Sequence, residues 1–283
     1  MTHVTPGCEH LDSFGARRDL SHCVEVYPGV ACPWLGDKGE AIMFETTKTV
    51  REYALEIPAS TRIFEKLGID YCCGGGKSLA DACSAAGVSV VEVLDSLNAD
   101  LTVAVSAARD WQALSQAELI THIVDKHHTF TREELVRLES LLAKVSGVHG
   151  QNHPELFYIQ EQFGKLRGEL EPHMLKEENV LFPYIVRMEE GAVENETLLP
   201  PPFGTVQNPV RVMMAEHDAA GYILVRIREA SSDYAVPPDG CISYKTLYSA
   251  LTALEVDLHQ HIHLENNILF PRAVELEDMS CSI

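Results

Sequence analysis

Long apolar runs are missing from this 283-residue chain: none approaches the ~20 residues that cross a bilayer. A helical membrane protein is thereby excluded. The opening Met-Thr-His-Val-Thr-Pro-Gly-Cys lacks the charged and apolar regions of a secretory signal, so a soluble, cytoplasmic protein is expected. Positive charge is scarce, with 22 Lys and Arg against 42 Asp and Glu and a formal charge of −20. That balance argues against a nucleic-acid groove and against an anionic membrane as partner. Cysteine is thin as well: eight, irregularly spaced, do not make the disulfide scaffold of a secreted chain this long. Neither a C-x2-C pair nor H-E-x-x-H occurs, so no standard zinc module is encoded.

Histidine is what the chain has in quantity, and ten of its thirteen lie between His122 and His263. The segment His173-Met-Leu-Lys-Glu177-Glu-Asn-Val-Leu-Phe-Pro183 returns 88 residues later as His261-Ile-His-Leu-Glu265-Asn-Asn-Ile-Leu-Phe-Pro271. At helical pitch Leu166, Leu170, His173, Glu177 and Val180 share one face, as do Leu254, Leu258, His261, Glu265 and Ile268. Each copy thus places an imidazole and a carboxylate on a stripe that otherwise builds a core. A lone ionised glutamate there is costly or stays protonated, so a cation between the two pairs is expected.

The partner helices follow from spacing. His217, on a face with Val210, Met213, Gly221 and Leu224, precedes His261 by 44 residues; His128, on a face with Val124, Thr131, Leu135 and Leu142, precedes His173 by 45. Two helical hairpins of one plan then turn four imidazoles and two carboxylates into one interior. Six ligands are too many for one four-coordinate zinc. They suit two cations bridged by two carboxylates, and an imidazole-rich mixed site suits iron, although affinity alone excludes neither manganese nor zinc. Periodicity leaves His127 against His128 open. His259 and His263, each ~160° around the helix from His261, are expected on the solvated outer face, at most behind the ligands.

The remaining chain divides by texture. Residues 1–43 read as an irregular extension whose Cys8, His10, His22, Cys23 and Cys32 match no metal module. Residues 44–99 read as a small domain of four short helices, with Pro58 at the first break, Ser60 as an N-cap, Gly87 as a stop and Ser89 as the last cap. Within it, Gly74-Gly75-Gly76-Lys77-Ser78 ends like a phosphate loop, but the first glycine of that motif and its preceding strand are missing. Cys72 and Cys73, at a glycine turn before a helix N-terminus, are candidate functional thiols with stabilised thiolates; the alternative is a pair of small buried hydrophobes. Residues 100–113 read as a linker. A capping box at Ser115 and Glu118 opens helices over 116–145, 154–188, 210–230 and 244–276, an antiparallel four-helix bundle spanning 114–277 before a short tail over 278–283. The fold class is all-α.

These residues together resemble one family, the iron–sulfur cluster repair di-iron proteins of the ScdA and YtfE type. Asp70-Tyr71-Cys72-Cys73-Gly74-Gly75 with Lys77 and Leu79 is similar to its N-terminal signature. His173-x3-Glu177-Glu178, Glu216-His217-Asp218 and His261-x3-Glu265-Asn266-Asn267 resemble its hemerythrin-type bundle. The resemblance covers about residues 45 to 275 and implies two irons held by His128, His173, Glu177, His217, His261 and Glu265, with Glu177 and Glu265 as bridges. It further implies a cytoplasmic stress protein that restores clusters damaged by oxidants or nitric oxide, with damaged or apo iron–sulfur proteins as partners, iron as the group supplied, and a homodimer as one assembly. A hemerythrin-like binder or sensor of O2 or NO, and a di-iron NO reductase, are the alternatives.

Overall fold

The computed structural model describes residues 34–35, 41–42, 45–104, 110–194 and 201–280. A two-residue antiparallel ladder, β1 (Trp34–Leu35) with β2 (Ala41–Ile42), interrupts the stretch expected to be irregular. Cys8, His10, His22, Cys23 and Cys32 lie outside the described residues. All other regular structure among the described residues is helical.

Four short helices come first: α1 (Val50–Glu56), α2 (Ser60–Lys66), α3 (Leu79–Ala86) and α4 (Val90–Ala104). Capping chemistry sets most of their limits. Thr49 and Glu52 form a capping box on α1, Ser78 accepts the Asp81 N–H at the start of α3, and Gly87 ends α3 in the left-handed region at φ 69. Ser60 is not the N-cap expected of it. Ala59 holds that position, and the hydroxyl that reaches back is that of Thr61, donating to the Pro58 carbonyl at 2.8 Å. The glycine turn is stitched to the start of α1, where Val50 N–H donates to Lys77 O (3.1 Å) and Arg51 N–H to Gly75 O (2.8 Å). Val50, Tyr53, Phe64, Leu79 and Leu97 close a separate small core. Helix α4 continues through Ala104, into the stretch expected to be linker.

Four long helices complete the fold. Helix α5 joins Gln116–His122, Ile123–His128 and Thr129–His149; α6 joins Glu155–Lys176, Glu177–Leu181 and Phe182–Glu194. Helix α7 is Gln207–Ala230, and α8 joins Ile242–Leu264, Glu265–Leu269 and Phe270–Ser280. The middle segments of α5, α6 and α8 are π-helical turns. The capping box at Ser115 and Glu118 opens α5 as expected. Helix α7 begins before Val210 because Pro209, in its first turn, removes an N–H that has no helical partner there.

The 88-residue repeat reaches further than its ligands. Glu189 on α6 accepts the N–H groups of Gln116 (2.7 Å) and Ala117 (2.9 Å) at the start of α5. Its counterpart Glu277 on α8 accepts that of Val206 (2.8 Å) at the start of α7. Each hairpin thus caps its first helix with a carboxylate from its second. Between the helices lie two apolar layers. One contains Leu135, Leu142, Leu170, Leu224 and Leu258; the other contains Ile123, Leu181, Phe182, Met213 and Phe270. The matched histidines and glutamates fall between these layers in sequence on all four helices. No helix among the described residues is long and apolar enough to cross a membrane.

Candidate metal centre

The six sequence-predicted side chains meet in the polar layer as two groups. His128, Glu177, His261 and Glu265 form one, and His173, Glu177, His217 and Glu265 the other; within each group the nitrogen and oxygen atoms lie within 4.8 Å of one another. Glu177 and Glu265 belong to both groups, and all six residues are buried. Nε2 of His128 lies 3.1 Å from Nε2 of His261, and the Nε2 atoms of His217 and His173 are 3.0 Å apart. Two acceptor-bearing nitrogens at such distances need a proton or a cation between them.

The carboxylates show the same need. Both oxygens of Glu177 are buried without a hydrogen-bond partner, although Oε2 lies 3.3 Å from His173 and 3.4 Å from His128. Oε1 of Glu265 stands 2.9 Å from Nε2 of His261, and Oε2 stands 3.1 Å from Nε2 of His217. Burial and the facing Glu265 push Glu177 up, yet the imidazoles around it, His173 foremost, hold it below the usual carboxylate range. For Glu265 burial is likewise outweighed, by His261 and then His217, and the group lies well below its ordinary value. The imidazoles answer in kind. Burial opposes charge on His173, but Glu177 and Glu265 push it up to about 9, and Glu265 raises His261 against its burial. Buried carboxylates and orphaned oxygens of this kind fit cations, which would displace those protons.

The π-turns correct one part of the helical-pitch reading. Val180, expected on the inward stripe, is 46% exposed, while Leu181 is buried. A π-turn carries an extra residue, so the phase advances and the next residue takes the inward place. The same shift makes Ile123, rather than Val124, the buried residue at the start of the π-turn on α5.

Behind the imidazoles stand residues that spacing did not single out. Nδ1 of His128 meets Glu178 at 2.6 Å, and Arg132 holds that carboxylate at 2.7 Å. Nδ1 of His173 meets Glu216 at 2.8 Å, with Lys176 on the same carboxylate. Nδ1 of His217 meets Oδ1 of Asn266 at 2.9 Å. Such partners orient a ligating imidazole and tune its basicity. Each is adjacent in sequence to a predicted ligand, and that adjacency is the signal that points to them. His127 belongs to neither group. It stacks on His261 (5.7 Å between centroids), its Nδ1 lies 3.0 Å from Asp257, and burial lowers its pKa.

The expectation for His259 and His263 is overturned. His263 is buried, its ring edge-on to Tyr71 at 5.4 Å, and burial lowers its pKa to about 4. His259 pairs with Glu65 at 2.9 Å. The outer face of α8 meets α2 and the glycine turn instead of solvent. The expectation of a stabilised thiolate does not hold for Cys72. The Cys73 thiol 3.9 Å away and burial push Cys72 well above its ordinary value. Asp70 adds to this, taking the N–H groups of Cys72 (3.1 Å), Cys73 (3.0 Å) and Gly74 (2.9 Å) that would otherwise stabilise a thiolate. Cys73 is partly exposed, and its Sγ lies 4.0 Å from where a side chain at Gly221 on α7 would begin.

Comparison with known proteins agrees with this geometry. Residues 119–273 match the hemerythrin HHE cation binding domain, and residues 46–101 match ScdA_N, described as a domain of unknown function. The chain is 36% identical over 225 residues to the probable iron-sulfur cluster repair protein of Haemophilus influenzae, covering 79% of this chain and 95% of the relative. It is 34% identical over 231 residues to the iron-sulfur cluster repair protein YtfE of Dickeya chrysanthemi, covering 81% and 98%. Over 223 residues it is 35% identical to YtfE of Escherichia coli, covering 79% and 94%.

Proposed function

The chain belongs to the iron–sulfur cluster repair proteins that join an ScdA_N domain to a hemerythrin HHE cation binding domain, and from that premise we propose that it repairs damaged clusters by supplying iron from a di-iron centre. Two irons would be held by His128, His173, Glu177, His217, His261 and Glu265, the two glutamates being shared by both groups. The observation that carries this reading is the pair of buried groups sharing both glutamates, with the Glu177 oxygens left without hydrogen bonds. Ferrous iron, when bound, is the redox-active and transferable cargo.

The chain's own residues supply retention and release. Glu178, Glu216 and Asn266 fix the imidazole rings through Nδ1 and leave Nε2 toward the centre. The apolar layers above and below exclude water, which strengthens each charge contact. His173 and His261 gain basicity from Glu177 and Glu265, so protons return to these sites as pH falls and compete with metal. Cys73, partly exposed beside Gly221 of α7, is the thiol to which departing iron would pass. Damaged or apo iron–sulfur proteins in the cytoplasm are the clients.

The test is anaerobic transfer. Iron-loaded protein is mixed with a ferrous chelator or an apo iron–sulfur protein, for the native chain and for the C72S/C73S variant. The expected result is transfer within minutes, slower in the variant although its initial iron is unchanged. Iron that stays bound while O2 or NO associates and leaves reversibly would instead make the protein a gas binder.

A further inference from the structure

The π-turn of α8 carries three functions in three consecutive residues. Glu265 is shared by both ligand groups, Asn266 holds Nδ1 of His217, and Nδ2 of Asn267 donates to the Tyr71 carbonyl at 3.0 Å. Tyr71 immediately precedes the two thiols. Asn267 is buried, its Nδ2 also lies 2.8 Å from Nδ1 of His263, and its Oδ1 has no partner. The Tyr71–Cys73 turn is thus tied to α8 through Asn267 and rests on α7 at Gly221, one helical turn beyond His217. The first hairpin has no such tie: its counterpart Asn179 is exposed and donates to Leu175 O of its own helix at 2.7 Å.

We propose that Asn267 is a positioning residue that couples metal at Glu265 to the docking of the Cys72–Cys73 turn, so that filling the centre holds Cys73 against α7 and emptying it frees Cys73 from that contact. This rests on the metal reading above. A π-turn differs from an α-turn by one inserted residue, and reversion to α rotates the C-terminal part of the helix by about 100°. That rotation would carry Asn267 off the Tyr71 carbonyl, making the turn a discrete two-state element. Metal held by Glu265 would restrain that carboxylate and so favour the π geometry in which the next two residues already stand. By reciprocity, docking of the turn raises metal affinity by the same factor by which metal raises docking. The coupling gives the thiol a role in timing: it opens to a client as iron leaves.

The test is the alkylation rate of Cys73 in the full-length chain, read by peptide mass spectrometry with iodoacetamide, on iron-loaded and metal-stripped samples whose metal content is measured in parallel. Loaded native protein should react about ten-fold more slowly than stripped protein. N267L should bind iron yet react in both states at the faster rate, and N179L should behave as native. Cys83, buried in the small core, reports unfolding: if it accelerates alongside Cys73, the effect is not undocking and the inference falls. Equal Cys73 rates in loaded and stripped native protein would also overturn it, and that pair decides even if N267L fails to fold. Failure to take up metal would sink the metal reading instead, so the two failures are distinguishable.

Discussion

In the first hairpin the π-turn leaves Asn179 and Val180 exposed, and Glu178 is half-buried; in the second every residue from His261 to Phe270 is buried. The groups behind the imidazoles differ in the same sense. Glu178 and Glu216, both reachable by water, are carboxylates paired with Arg132 and Lys176. Their counterparts in the repeat, Asn266 and His127, are buried and uncharged groups, with burial lowering the His127 pKa. One plan of ligands is therefore backed by charge where a solvated cation can balance it, and by neutral groups where the small N-terminal region or the core excludes water. This follows the cost of burying unpaired charge. It also marks the second hairpin as the side on which the Tyr71–Cys73 turn sits.

The most severe way to break the comparison is to remove a shared carboxylate. Glu177→Ala and Glu265→Ala should each lower the metal content from about two per chain to one or none, because each serves both groups. Metal analysis after anaerobic reconstitution checks it. Equal losses mean that the ligand plan, not its covering, decides occupancy. A full second metal in either variant would remove that carboxylate from the bridge.

A smaller effect separates the open face from the covered one. Ile268→Ala should cost about 2–4 kcal/mol, as removal of a buried aliphatic does. Val180→Ala, at the equivalent exposed position, should stay within about 0.5 kcal/mol. His263→Ala should leave the metal count unchanged and still cost about 1–3 kcal/mol, since its ring fills the space under Tyr71. Urea unfolding of metal-matched samples measures all three. Similar costs at Val180 and Ile268 would mean that the second π-turn is not covered in solution.

These contrasts also show why some features are legible in the sequence and others are not. The candidate ligands lie at helical spacing on apolar stripes, and the His-x3-Glu pairs repeat after 88 residues, so period and repetition point to His173, Glu177, His217, His261 and Glu265 and leave His127 against His128 for the structure to separate. Caps such as Ser115 and Gly87 act within a turn and are readable too, although Ser60, read as a cap, yields that position to Ala59. The phase at Val180 is not readable, because a π-turn changes the period that a helical wheel holds constant. His263 is misplaced for another reason: a helical wheel shows one face toward the bundle and cannot show that a second region packs on the other. The Cys72 environment depends on Asp70 turning its carboxylate onto three backbone N–H groups, a loop geometry that no spacing encodes.

The finest test asks whether charge or covering explains the difference between Glu178 and Asn266. Glu178 draws on Nδ1 of His128 at 2.6 Å and is itself held by Arg132 at 2.7 Å. Burial opposes its charge, but His128 and Arg132 keep it below the usual carboxylate range. Glu178→Gln keeps the shape and removes the charge, so the His128 imidazole becomes a weaker donor and affinity at that group should fall about ten-fold. Asn266→Asp makes the opposite change behind His217, but at a buried position where, among the described residues, no Lys or Arg is paired with it as Arg132 is with Glu178. Gain in ligand basicity and desolvation cost then nearly cancel, and affinity should rise by less than about three-fold. Competition against a calibrated chelator at fixed pH measures both. If N266D tightens binding as much as E178Q weakens it, charge alone sets the asymmetry and the covering of the second hairpin contributes nothing to it.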